Sequence, residues 1–83
     1  MTSKIVRRVE VRDLCHIVKV EDKYYYIDSV ETFDLGFETM VFECDELGAV
    51  EDWGNPVYVE WHIDESRMEL RHSNICKNLA EYL

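Results

Sequence analysis

Between Lys23 and Arg67 this sequence has no lysine and no arginine, while residues 24–66 hold twelve acids. That absence excludes the middle of the chain as a nucleic-acid-binding surface, because neutralising phosphates needs clustered cations. Glycine is scarce too. The three residues at 36, 48 and 54 fit neither a phosphate-cradling loop nor a dinucleotide fingerprint. A single proline and the lack of any Gly/Ser-rich tract leave no linker to divide the chain, so residues 1–83 are expected to form one domain around one core. No apolar run approaches 18 residues, so no membrane span is expected. The opening MTSKIVRRVEV has bases but lacks the apolar stretch of a signal peptide, which points to the cytoplasm. Cysteine is sparse and odd in number; Cys15, Cys44 and Cys76 read as free thiols in a reducing compartment rather than as a disulfide framework.

What the chain does contain is strand-like alternation followed by a helical stripe. The first dozen residues fit a strand or a helix equally well. In LCHIVKV, Leu14, His16, Val18 and Val20 point one way and Cys15, Ile17 and Lys19 the other. YYYIDSVETF follows a turn at Glu21–Lys23, and its aromatic and β-branched residues suit a pleated surface. In ETMVFEC, Met40, Phe42 and Cys44 share a face. VYVEWHI alternates most cleanly, with Val57, Val59, Trp61 and Ile63 together and Trp61 expected to be buried. After Ile63 the period changes: Met68, His72, Ile75, Leu79 and Tyr82 recur at helical spacing. Ser66 with Glu69 forms a candidate capping box, and Asp64 an alternative cap. The predicted fold class is α+β: an antiparallel meandering sheet of about four strands with one C-terminal amphipathic helix packed on one face. One helix cannot cover both faces, so the far face is wet or meets another molecule.

Few residues carry recognisable chemistry. His72 and Cys76, four apart on a helix, have the spacing of two metal ligands, and Cys15, His16, Cys44 and His62 offer further donors. The apolar periodicity already accounts for those positions, so core residues are expected, with no metal and no cofactor. No cysteine is marked as a nucleophile, and the acid pairs Asp45-Glu46 and Glu51-Asp52 fall in turns, where solvated charge is ordinary. No catalytic residue is assigned and no enzyme activity is expected.

The run Phe37-Glu38-Thr39-Met40-Val41-Phe42, then Asp45, Gly48, Val50 and Asp52-Trp53-Gly54, resembles a pattern in small, mostly uncharacterised phage and mobile-element proteins of Firmicutes. The resemblance covers roughly residues 29–76. A Gly-His pair usual in that group is Arg71-His72 here. What the resemblance implies is context, an accessory protein acting in a bacterial host cell, and no catalytic residues come with it.

Charge and context together suggest an interaction protein whose partner is a basic, nucleic-acid-binding host enzyme, inhibited as an anti-CRISPR-like or DNA-mimic protein would inhibit it. The candidate partner-binding residues are Asp28, Glu31, Asp34, Glu43, Asp45, Glu46, Glu51 and Asp52, with Trp53 as an apolar anchor. Direct nucleic-acid or membrane binding is not expected. Two alternatives stay open: a structural or regulatory accessory protein that self-associates as a homodimer, and a small binding protein that sequesters a signalling nucleotide through its few arginines.

Overall fold

Each strand is followed by its nearest neighbour in both sequence and space. A computed structural model of the chain describes residues 13–32 and 36–83. The undecided segment before Asp13, and Asp34, lie outside them. Four strands, β1 (Asp13–Val20), β2 (Lys23–Thr32), β3 (Gly36–Cys44) and β4 (Tyr58–His62), form one antiparallel sheet in the order β1-β2-β3-β4. Helix α1 (Glu65–Lys77) and a short 3-10 turn (Leu79–Tyr82) follow, and the described residues have an α+β architecture. The β1–β2 turn is tight enough that Glu21 takes a φ of 59°. Asp64 caps α1, its carboxylate accepting from the Arg67 amide at 2.8 Å. This was the alternative to the Ser66–Glu69 box. Asp64 has the extended backbone a cap needs, and Ser66 is already inside the first turn.

The helix packs on the face formed by Val18 and Val20 of β1, Tyr25, Ile27 and Ser29 of β2, and Thr39 and Val41 of β3. Ile27 and Val41, opposite one another across β2 and β3, meet Ile75 and Leu79 in the apolar core. Met68, His72, Ile75 and Leu79 are the buried stripe, so the helical periodicity in the sequence marked the right face.

β4 turns the other way from expectation. Its helix-facing residues are Tyr58, Glu60 and His62, which pair with Val41, Thr39 and Phe37. Trp61 is consequently 54% exposed and Ile63 82% exposed. The reason is polar: Glu60 takes a bidentate hydrogen bond from Arg71 of α1 at 2.6 and 3.0 Å, and the Tyr58 and Tyr82 rings meet edge-on at 5.1 Å. Those contacts hold the charged side of the strand inward at the sheet's edge and turn its apolar side outward.

The far face is partly covered by the chain between β3 and β4. Trp53 folds back edge-on against Phe42 (4.9 Å) and Tyr26 (5.5 Å). Gly48 reaches across to β1, where a Cβ would sit 2.6 Å from the Ile17 Cδ1, and its φ of 88° is left-handed. Only glycine meets both demands without strain.

Two stability changes follow. Trp61→Ala should cost well under the roughly 3–5 kcal/mol of a buried tryptophan, whereas Gly48→Ala should cost about 1–3 kcal/mol through its backbone conformation and the Ile17 contact. Urea unfolding of both variants measures each loss.

Candidate functional site

Two constellations are built on this frame, one anionic and exposed, the other uncharged and buried. The first begins where β3 ends. Asp45 organises the turn: its Oδ1 accepts from the Leu47 and Ala49 amides, both at 2.9 Å, and the Gly48 amide donates to its carbonyl. Asp52 does the same one turn later, accepting from the Gly54 amide at 3.0 Å and the Asn55 side chain at 2.6 Å. A bridge between Cys44 and Val50 and a 2.7 Å bond from the Val57 amide to the Val41 carbonyl tie the segment to β3. Between segment and strand lies an open groove of about 760 Å³, walled by Glu43, Asp45, Glu51 and Asp52 and floored by Cys44, Val50 and Val57. Among the described residues, no basic side chain lines it. Burial, with Asp45 and Glu43 beside it, pushes the Cys44 thiol upward, so the groove keeps a protonated sulfur among carboxylates.

The acids singled out from sequence do not all converge. Glu43, Asp45, Glu51 and Asp52 share the groove, Glu46 is exposed on the Asp45 turn, and Trp53 is half exposed beside it. Glu31 stands at the opposite end of β2, in register with Phe37, whereas Cys44 pairs with Tyr24. Asp28 is a correction: it is only 7% exposed, because its place in β2 points it into the face opposite α1, and it offers a partner little surface. Glu43 also has a neighbour, Lys23 at 3.7 Å, an exposed pair worth little.

The buried constellation was not anticipated. It is a line of hydrogen bonds through the interface of helix and sheet. His16 Nδ1 lies 2.8 Å from His72 Nε2, and His72 Nδ1 lies 2.6 Å from Ser29 Oγ. Ser29 Oγ is 2.5 Å from Thr39 Oγ1, which is 2.7 Å from His62 Nε2. Five elements contribute: β1, α1, the paired positions of β2 and β3, and β4. His72 is 4% exposed and the His62 side chain 1%, while His16 opens to solvent at one end. The line accommodates one proton per contact and can run in either direction.

Beyond His62 the surroundings become charged. Glu60 Oε2 lies 3.7 Å from His62 Nδ1 and 2.6 Å from Arg71 Nε. The Arg71 hydrogen bonds hold the Glu60 carboxyl below its ordinary range, with smaller help from Tyr58, which donates to it at 2.6 Å. Tyr58 is raised in turn by that bond. Arg71 also donates to the Tyr82 hydroxyl, which donates to Asn74, tying the 3-10 turn to α1. His62 is held below the usual imidazole range, chiefly by burial and further by Arg71, against the opposing pull of Glu60. At the solvent end, one ring nitrogen each of His16 and His72 and the Cys76 sulfur lie within 4.8 Å of one another. Burial raises the Cys76 thiol.

Among the described residues, no helix is long and apolar enough to cross a membrane. Comparison with protein-family models, with curated proteins and with solved structures finds no match to this chain.

The lowered His62 makes stability depend on pH with a definite sign. Above the ordinary imidazole value of about 6.5, folded and unfolded states are both neutral at His62 and it contributes no slope. As pH falls through that value, the unfolded chain takes a proton that the native state refuses, so stability declines until the folded pKa is passed. His62→Gln should flatten this decline; urea midpoints of both proteins between pH 5 and 8 are the measurement, and parallel curves would remove His62 as its source.

Proposed function

We propose that this chain is an acidic interaction protein, a phage-type accessory factor, which takes a basic surface of a host nucleic-acid-handling enzyme into the groove beside β3. The observation that carries this reading is the groove's lining of Glu43, Asp45, Glu51 and Asp52, with no basic residue among the described residues that line it. It lies in a stretch of the chain that has no lysine or arginine at all. Four carboxylates around a concave floor attract Lys and Arg side chains from a distance, and electrostatic steering makes association fast and salt-sensitive. Occupying an enzyme's cationic groove in this way denies it the phosphates of its own substrate. The carboxylates of Asp45 and Asp52 are fixed by turn hydrogen bonds, so their charges are presented at little entropic cost on binding. The mechanism needs binding alone, with no catalytic group.

Self-association is the second reading, favoured by a separate observation. Among the described residues β4 is an edge strand, and Val57, Val59, Trp61 and Ile63, on and flanking its outward face, are exposed. An apolar stripe on an unpaired edge suits a second sheet.

The substitutions that separate these readings avoid the turn-forming acids. Glu43, Glu46 and Glu51 changed together to Gln should leave the fold intact. The triple variant should bind a basic enzyme captured from a Firmicute host lysate at least about tenfold more weakly than the parent, a loss of about 1.4 kcal/mol. Competition by duplex DNA for the same enzyme, and loss of capture at high salt, should accompany it. Unchanged binding by the triple variant would refute the groove, and a salt-insensitive dimer in sedimentation that captures nothing would favour the β4 edge.

A further inference from the structure

We propose that His16, His72 and Cys76 form a transition-metal site of two imidazoles and one thiolate, suited to Zn²⁺. Three soft or borderline donors from two elements meet here, β1 supplying His16 and one face of α1 supplying His72 and Cys76 at i and i+4. A tetrahedral zinc ion with its usual bond lengths places such donors roughly 3.3–3.6 Å apart. The present separations, all within 4.8 Å with the two nitrogens at 2.8 Å, reach that by small turns of the exposed His16 and the half-buried Cys76. His72, the buried ligand, needs no movement of its ring plane. Its other nitrogen is held at 2.6 Å by Ser29 Oγ, the outer-shell contact that orients a metal-bound imidazole. The fourth position of a tetrahedral ion is left to water or to a donor from a bound molecule.

The proton balance of binding is simple. The Cys76 thiol loses its proton to solvent as the Zn–S bond forms. Each imidazole keeps one proton, on the ring nitrogen away from the metal. That requirement sets the direction of the whole buried line. With Nε2 of His72 on the metal, its Nδ1–H donates to Ser29 Oγ. Ser29 then donates to Thr39, since otherwise its own buried proton finds no acceptor along the line. Thr39 donates to His62 Nε2, which leaves the His62 proton on Nδ1, 3.7 Å from Glu60. A metal at the β1 end therefore selects the tautomer of a histidine on β4, at the opposite edge of the sheet.

Titration of the full-length reduced protein with Co²⁺ as a probe, followed by displacement with Zn²⁺, tests the site. One equivalent should produce a thiolate-to-cobalt charge-transfer band in the near ultraviolet and the visible bands of tetrahedral cobalt. Cys76→Ser should abolish the charge-transfer band, and Cys15→Ser and Cys44→Ser should keep it. Loss of an outer-shell partner alone weakens metal sites by about 10–100-fold, so His16→Ala, at an exposed position, should weaken Zn²⁺ by at least about tenfold. Zinc should also fix His62 as its Nδ1–H tautomer in long-range ¹H–¹⁵N spectra. If Cys76→Ser does not fold, the parent band and its response to His16→Ala decide the matter. A cobalt spectrum without thiolate character, or a band that depends on Cys15 or Cys44, would overturn the proposal, as would unchanged zinc affinity in His16→Ala.

Discussion

A buried line of hydrogen bonds from His16 through His72, Ser29 and Thr39 to His62 is the constraint to which the other elements conform. Burying a polar group costs roughly 1–3 kcal/mol when its partner is missing, so each member of the line is acceptable only while its neighbours stay in place. Ser29 and Thr39 are direct partners across β2 and β3. Slipping that register by one residue would turn one of them to the other face. Rotating α1 by one residue would carry His72 off the sheet and deprive Ser29 of one of its two partners. Apolar packing at Ile27, Val41, Ile75 and Leu79 supplies the drive for helix and sheet to associate, but it tolerates several arrangements. The polar line selects among them.

The same logic explains the orientation of β4. Its apolar stripe alone would pack as well against a helix as its polar one. Inward-facing His62 closes the hydrogen-bond line, and inward-facing Glu60 meets Arg71, so the polar side is the one that the helix accepts. The Glu60–Arg71 pair is only partly buried, which limits the desolvation it must offset. An apolar surface is left outside as the consequence, and the loop that carries Trp53 covers β2 and β3 but does not reach it.

Most of the architecture was legible in the sequence because it follows from periodicity. The alternation in LCHIVKV and ETMVFEC, the aromatic run at Tyr24–Tyr26 and the change of period after Ile63 each mark an element where one exists. Parity, however, divides a strand into two faces without saying which one meets the helix, and at β4 the more hydrophobic face was the wrong choice. The buried line was illegible for a different reason. Ser29 and Thr39 are ordinary strand residues one at a time, and His16 and His72 are separated by 56 positions. Only the pairing of β2 with β3 brings them together. For the acids, composition revealed the charge but not its distribution: Glu43, Asp45, Glu51 and Asp52 gather because a turn follows β3, whereas Glu31 is carried to the far end of its strand.

The order β1-β2-β3-β4 also bears on how the chain acquires its structure. A meander in which every strand pairs with its neighbour in sequence has low contact order, and its hairpins can form in the order in which a ribosome delivers them. The bonds from His72 back to Ser29 and His16 span 43 and 56 residues and have to wait for the C-terminal helix. Until then Ser29 and Thr39 lie on the uncovered face of the four-stranded sheet, where they do not favour premature association as a wholly apolar surface would. A polar seam that closes last lets the nascent sheet remain soluble while it waits for its helix.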